Sequence, residues 1–319
     1  MTTLRWGILG CGDVAEYKGG PPLYSVDDSE LIAVMRRDRA KAESFAERHG
    51  AKRVYTDIDD LLGDDELNAI YVATPPYLHC EQTIRVAEAG KHILCEKPMA
   101  MTVEECQRMV DACRDAGVTL MLAYYRNFYP NIVKMKALMD EGAIGDVVLA
   151  KVNHTGFYNP NRHDLSSWRV DPKVSGGGVL MDLGSHRISL LQYLMGDIAS
   201  VQGYAAVHLD IDVDDSAVFT LRFESGAHAV ANINWNVGIS IDDVEVYGTE
   251  GCLRCSPLNS GNLTLETKSE GLVELHQIPL LHTHTGLVED FVNHLKTGEP
   301  VRCSGESGLQ TNAVIAEIM

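Results

Sequence analysis

The chain of 319 residues has no apolar run near the roughly 18 residues that a bilayer span needs, which excludes a membrane-spanning helix. The opening MTTLRWGILG shows no charged leader followed by an apolar stretch and a small-residue cleavage site. A cytosolic protein is therefore expected. Basic charge is scarce: 27 Lys and Arg stand against 45 Asp and Glu, a net charge of −18. That field repels nucleic acid and acidic membrane surfaces, and it favours a small neutral partner. The eight cysteines show no framework spacing, so reduced thiols are expected. Cys252 and Cys255 form a C-x-x-C without a second pair, and no metal site is expected there. His282 and His284 form an H-T-H with no third ligand nearby and read as a surface pair.

What remains is two halves with different rhythms. From Leu4 to about Ala123, short apolar runs (LRWGILG, ELIAVM, LNAIYVAT, HILCEK, VTLMLAY) alternate with helical stretches. Continuous apolar strands between helices imply a parallel sheet covered on both faces, hence an α/β Rossmann-type doubly wound fold. Later segments such as SAVFTLRFE and AHAVANINWNV follow one another with turns between them. Their partial alternation implies an α/β domain with a large, mostly antiparallel open sheet. The domains expected are residues 1–123 and 124–319, with a helix over 130–141 as connection and the new rhythm established near Gly145.

After the first strand comes Gly10-Cys11-Gly12-Asp13-Val14-Ala15, a G-x-G-x-x-A. Gly10 suits the tight turn, Gly12 lets a pyrophosphate approach the backbone, and Ala15 keeps helix and strand close. The helix start at Asp13 and Val14 offers N–H groups to phosphate. The following EYKGGPPLYS, rich in glycine and proline, should break this first helix early. The second strand ends in Arg36 and Arg37 instead of an acidic residue. Two guanidiniums suit the 2′-phosphate of NADP, whereas an acidic residue would select NAD; the alternative is that both arginines are solvated helix-start residues.

The stretch SGGGVLMDLGSHRISLL sets Asp182 and His186 four residues apart, on one face of a helix. Such a pair is common on solvated surfaces. It acquires chemical meaning beside HILCEKPMA, where Glu96, Lys97 and Pro98 end the fifth strand, and ATPP, where Thr74 ends the fourth. A nicotinamide binds near those ends. Oxidation of an alcohol needs a proton acceptor, for which His186 is suited, and a positive charge at the developing alkoxide, for which Lys97 is suited. Asp182 then orients the hydroxyl or the imidazole. Glu96 and Pro98 fix the direction of Lys97, a cis Lys97–Pro98 bond being one means.

These three motifs, in this order and over nearly the whole chain, resemble the glucose–fructose oxidoreductase and inositol dehydrogenase family. The resemblance implies NAD(P) chemistry on a small neutral sugar, polyol or related diol. It also implies a homodimer or homotetramer built through the C-terminal sheet. It assigns the catalytic roles to Lys97, Asp182 and His186. Residues matching Thr74, His79, Glu96, Pro98, Trp168 and Arg169 line the cofactor or substrate cleft in the family, although Trp168 also suits a plain core and Arg169 a surface ion pair. The region of Tyr125 and the two arginines are most similar to NADP-using members. The expectation is an NADP(H)-preferring oxidoreductase, with NAD as the alternative cofactor. An NAD-dependent glycoside hydrolase of the same fold, an NAD-preferring inositol-type dehydrogenase and a non-catalytic NADP sensor are the competing readings. Substrate choice is expected to depend on loops over 124–129 and 157–168.

Overall fold

The structure, a computed structural model, describes residues 3–158 and 168–319. It divides into two compact units, Met1–Tyr125 with Leu281–Asn312, and Arg126–Leu280 with Ala313–Met319. The C-terminal stretch over 281–312 thus returns to the first unit, a feature that no local pattern in the sequence announces.

In the first unit six strands form one parallel sheet in the order β3-β2-β1-β4-β5-β6, from β1 (Leu4–Leu9), β2 (Ser29–Met35), β3 (Arg53–Tyr55), β4 (Ala69–Val72), β5 (His92–Cys95) and β6 (Leu120–Leu122). All four residues of β4 are fully buried, as are Ile93, Leu94 and Cys95 of β5. Residues of both parities are apolar because both sheet faces are covered. The connecting helices are α1 (Pro22–Ser25), α2 (Arg39–His49), α3 (Ile58–Leu62), α4 (His79–Glu88) and α5 (Val103–Ala116). Asp38 caps α2 through the Lys41 N–H, Thr102 caps α5 through the Glu105 N–H, and Gly50 and Gly117 end these helices in the left-handed conformation.

The second unit holds α6 (Pro130–Asp140), β7 (Val147–Phe157), α7 (Pro172–Ser175), α8 (Ser185–Met195), β8 (Ile198–Ala206), β9 (Ser216–Phe223), β10 (His228–Asn234), β11 (Asn236–Gly248), β12 (Gly251–Cys255), β13 (Thr264–Thr267) and β14 (Gly271–Glu274). Its eight strands order as β14-β13-β12-β11-β7-β10-β9-β8. Only β7 and β10 pair in parallel; the other pairs are antiparallel. In β9, Ala217, Phe219, Leu221 and Phe223 are buried while the residues between them point away from the core. That alternation is the signature of a sheet packed on one face. Buried Leu190, Leu191 and Leu194 of α8 belong to the same core cluster as those β9 residues.

The last two helices are α9 (Thr285–Thr297) and α10 (Gly305–Ile318). Phe291 of α9 packs edge-to-face on Trp6 of β1, with ring centroids 5.6 Å apart and both side chains fully buried. Aromatic burial of this kind contributes about 2–3 kcal/mol per side chain. It accounts for the return of α9 to the first unit.

Candidate active site

The glycine turn starts where β1 ends. Gly10 has φ +93°, and a Cβ there would lie 2.7 Å from Thr74 Cγ2, so only glycine fits. Gly12 is different: a Cβ would meet nothing within 4 Å. The protein's own packing does not demand glycine at Gly12, and the open space beside it suits the approach of a pyrophosphate. Ala15 is buried and begins a π turn over Ala15–Gly19, closed by Gly20 N donating to Ala15 O at 2.9 Å. The chain then breaks into the short α1, the early interruption that the Gly-Gly-Pro-Pro run implies. Val14 is half-buried and Asp13 exposed. Arg36 Nη1 donates to Cys11 O at 2.9 Å, which folds its guanidinium over the turn, and Arg37 is exposed. Asp38 accepts from the Lys41 N–H at the start of α2, so its carboxylate serves the helix cap.

The ends of β4 and β5 carry the next residues. Thr74 Oγ1 donates to Gln82 Oε1 at 2.6 Å. His79 is fully buried, with Nδ1 2.9 Å from Pro98 O and Nε2 2.7 Å from Thr74 O. It ties the two strand ends together from behind. Burial pushes its pKa down, against the opposing effect of the two carbonyls. The Lys97–Pro98 bond is cis, and Lys97 is half-buried.

Glu96, 6% exposed, uses both carboxylate oxygens. Oε1 accepts from Tyr71 Oη at 2.6 Å and from His284 Nε2 at 2.9 Å, and Oε2 accepts from the Lys97 N–H at 3.3 Å. Burial alone would raise the Glu96 pKa. The His284 bond and charge, the Tyr71 hydroxyl and the Lys97 charge outweigh it and hold the carboxyl at about 2. Glu96 is therefore an ionised anchor throughout the physiological range.

His284 corrects the expectation of a surface pair: it is fully buried, at the start of α9. Its ring stacks on Tyr125, with centroids 5.0 Å apart and planes 29° apart, and the Lys18 ammonium lies 5.6 Å from the Tyr125 centroid. The H-T-H motif carries no hint of this. The usable signal was the apolar Leu287, Val288 and Phe291 just beyond it, which require the helix start to sit against a core.

In the second unit the SGGG stretch positions Asp182 and His186. The Asp214 carboxylate accepts from Gly178 N at 2.6 Å and from Leu180 N at 2.7 Å, while Asp214 O accepts from Val179 N at 2.8 Å. A Cβ on Gly178 would lie 1.8 Å from Asp214 O, so glycine is obligatory there. The helix so capped opens with a π turn over Leu180–Gly184 that contains Asp182, and His186 follows in α8. His186 is buried, whereas the Asp182 side chain keeps 24% exposure and lies 3.7 Å from Arg169 Nε. The Arg169 guanidinium covers the Trp168 ring at 4.5 Å. Arg169 is thus a half-buried ion-pair partner of Asp182, and Trp168, half-buried too, packs under its guanidinium.

Arg187, next to His186, escaped the sequence reading although it interrupts an apolar run. It is fully buried and pairs with Asp242 of β11, and His154 Nδ1 of β7 lies 3.5 Å from the same oxygen. Burial raises the Asp242 pKa, but His154 and the Arg187 charge reverse this and lower it. Of the expected substrate loops, residues 159–167 lie outside the described residues.

A parallel Rossmann sheet, a glycine turn with space for a pyrophosphate, and an EKP at the sheet's C-terminal edge define an NAD(P)-dependent oxidoreductase. Residues 4–124 match the oxidoreductase family with an NAD-binding Rossmann fold, and residues 132–254 match the GFO/IDH/MocA C-terminal domain. The chain belongs to the GFO/IDH/MocA oxidoreductase family. It is 31% identical to oxidoreductase P35 of Formosa agariphila, over 99% of this chain and 97% of the relative. Its identity to D-xylose 1-dehydrogenase (NADP(+)) 2 of Haloferax volcanii is 30%, over 99% of this chain and 96% of that protein. Levoglucosan dehydrogenase, solved in complex with NADH and levoglucosan, superposes with a TM-score of 0.89 at 26% identity, over 99% of this chain and 96% of that one. Among the described residues no helix is long and apolar enough to cross a membrane.

Proposed function

We propose that this protein is an NADP(H)-preferring oxidoreductase that moves hydride to or from a carbinol or carbonyl carbon of a sugar, polyol or related diol. The observation that carries the reading is the anchoring of Glu96, whose second oxygen holds the peptide N–H of Lys97 beside the strand end. A lysine held in this way is equipped to stabilise an alkoxide. The bound nicotinamide supplies the two-electron hydride acceptor or donor. In this reading Lys97 stabilises the oxyanion that forms as the hydroxyl loses its proton, and His186 takes that proton. Asp182, steadied by Arg169, orients the substrate hydroxyl. Gly10, Gly12, Asp13, Val14 and Ala15 hold the pyrophosphate, Arg37 and Arg36 face the 2′-phosphate, and Thr74, Pro98 and Tyr125 border the nicotinamide. The printed substrates of the relatives, D-xylose and levoglucosan, support the sugar class.

The NADH in the levoglucosan dehydrogenase complex supports a second cofactor reading, NAD, and the exposed position of Arg37 decides how the two are separated. A panel of sugars and polyols with NADP⁺ and NAD⁺, followed at the nicotinamide absorbance, tests both. NADP⁺ is expected to give the higher kcat/KM, and Arg37→Ala to lower that preference by about tenfold. Lys97→Ala should lower kcat by about 10²–10⁴-fold with cofactor affinity nearly unchanged. Parental turnover in Lys97→Ala would refute its role, and a tenfold preference for NAD⁺ would refute the arginine assignment.

We also infer self-association through the open face of the second sheet and a cytosolic setting. Tyr204, Val230 and Leu272 lie exposed on the face opposite the buried Ala217, Ala231 and Leu253, which supports the first inference. All eight cysteines are free thiols, which supports the second.

A further inference from the structure

We propose that His284 is a positioning residue for Lys97, acting through the Glu96 carboxylate; the proposal rests on the reading of Lys97 given above. The chain of contacts is short and lies within one unit. His284 Nε2 donates to Glu96 Oε1 at 2.9 Å, Tyr71 Oη donates to the same oxygen at 2.6 Å, and the Lys97 N–H donates to Oε2 at 3.3 Å. The carboxylate plane is thereby set by two donors on one side, and that plane orients the lysine's peptide on the other. With Nε2 directed at Glu96, Nδ1 lies 3.1 Å from the Thr283 hydroxyl, so both ring nitrogens have a hydrogen-bonding partner. The ring cannot swing, because Tyr125 stacks on it at 5.0 Å and the Tyr71 ring meets its edge at 6.3 Å. A buried carboxylate that loses one of its donors must reorient or draw in water, since an unmet acceptor in a low-dielectric site is costly.

The C-terminal return of the chain therefore has a chemical task beyond packing. It brings a donor 188 residues distant in sequence to the EKP segment. His284→Phe removes the donor but keeps an aromatic ring against Tyr125, whereas His284→Gln keeps an N–H that can reach Glu96. Tyr71→Phe removes the other donor on the same oxygen and serves if His284→Phe does not fold.

The test is competitive acetylation of the full-length protein with trace acetic anhydride, read by peptide mass spectrometry, with the exposed Lys173 as internal reference. The Lys97-to-Lys173 labelling ratio should change about threefold or more in His284→Phe and Tyr71→Phe, and stay within about twofold of the parent in His284→Gln. An unchanged ratio in both donor-lacking variants, or a change that His284→Gln shares, overturns the proposal. Lys97→Ala turnover is measured in parallel: parental activity there removes the catalytic reading of Lys97, while the labelling ratio still decides whether His284 positions the side chain.

Discussion

Glutamine at Glu96 is a close stand-in for the protonated glutamic acid, with the same shape, no charge, and a carbonyl oxygen still able to accept from Tyr71 and His284. The stability gap between the parent and Glu96→Gln should therefore follow the ionisation of Glu96. In the folded protein that carboxyl is held at about 2, against an ordinary value of 4.5. The difference corresponds to roughly 3 kcal/mol of stabilisation when the group is charged. Because the folded-state value is the lower one, this stabilisation is complete above the unfolded-state value of 4.5 and disappears as the pH falls toward about 2. Glu96→Gln should thus lose roughly 3 kcal/mol at pH 7, nearly as much at pH 5, and only about 1 kcal/mol at pH 3. Trp6 reports on the same unit, fully buried and bonded through its indole N–H to Ser29 Oγ at 2.9 Å. Urea unfolding followed by Trp6 emission, with Trp168 and Trp235 replaced by phenylalanine in both proteins, measures the gap at each pH. A gap that is absent at pH 7, or that keeps one size from pH 7 to pH 3, would refute the account of Glu96 as an ionised anchor.

Two glycine comparisons separate binding from folding. Gly12→Ala meets open space, so its stability should stay within about 0.5 kcal/mol of the parent while NADP(H) affinity, read by nicotinamide fluorescence, falls about tenfold or more. Gly10→Ala, forced to φ +93° against Thr74, should instead lower stability by about 1–3 kcal/mol in thermal unfolding. Gly178→Ala places a Cβ 1.8 Å from Asp214 O, and the resulting shift of the cap should cost about 3 kcal/mol and reduce kcat together with it. A fully active and stable Gly178→Ala would show that the cap does not govern the helix carrying Asp182 and His186.

Much of the fold was legible because its rules are local. The continuous apolar runs LNAIYVAT and HILCEK could only be strands buried on two faces, and β4 and β5 are such strands. The helical stretches after the second and fifth strands are α2 and α5, bounded by the caps Asp38 and Thr102 and by the terminal Gly50 and Gly117. The glycine turn was legible for a related reason: a strand that must turn into a helix beside a second strand leaves few backbone choices, and Gly10 is where they narrow.

What resisted reading was everything fixed by distant partners. His284 looks like half of a polar pair because its two neighbours are threonines, and its burial follows from Phe291 meeting Trp6, a contact with no sequence signal of its own. Arg187 looks like a helix-surface residue until Asp242, 55 positions later, arrives opposite it on a strand. Asp214 reads as one of several loop acids, yet its carboxylate meets the N–H groups that the SGGG stretch leaves open. In each case a polar group is buried against a segment that carries a residue expected to do chemistry, and burial requires a partner. The useful rule for a chain of this kind is therefore to ask which buried group each motif residue must satisfy. For EKP the charged carboxylate demanded two donors besides the lysine's own N–H, and a search of the remaining sequence for uncommitted histidine and tyrosine on apolar elements would have led to Tyr71 within IYV and to His284 before LV.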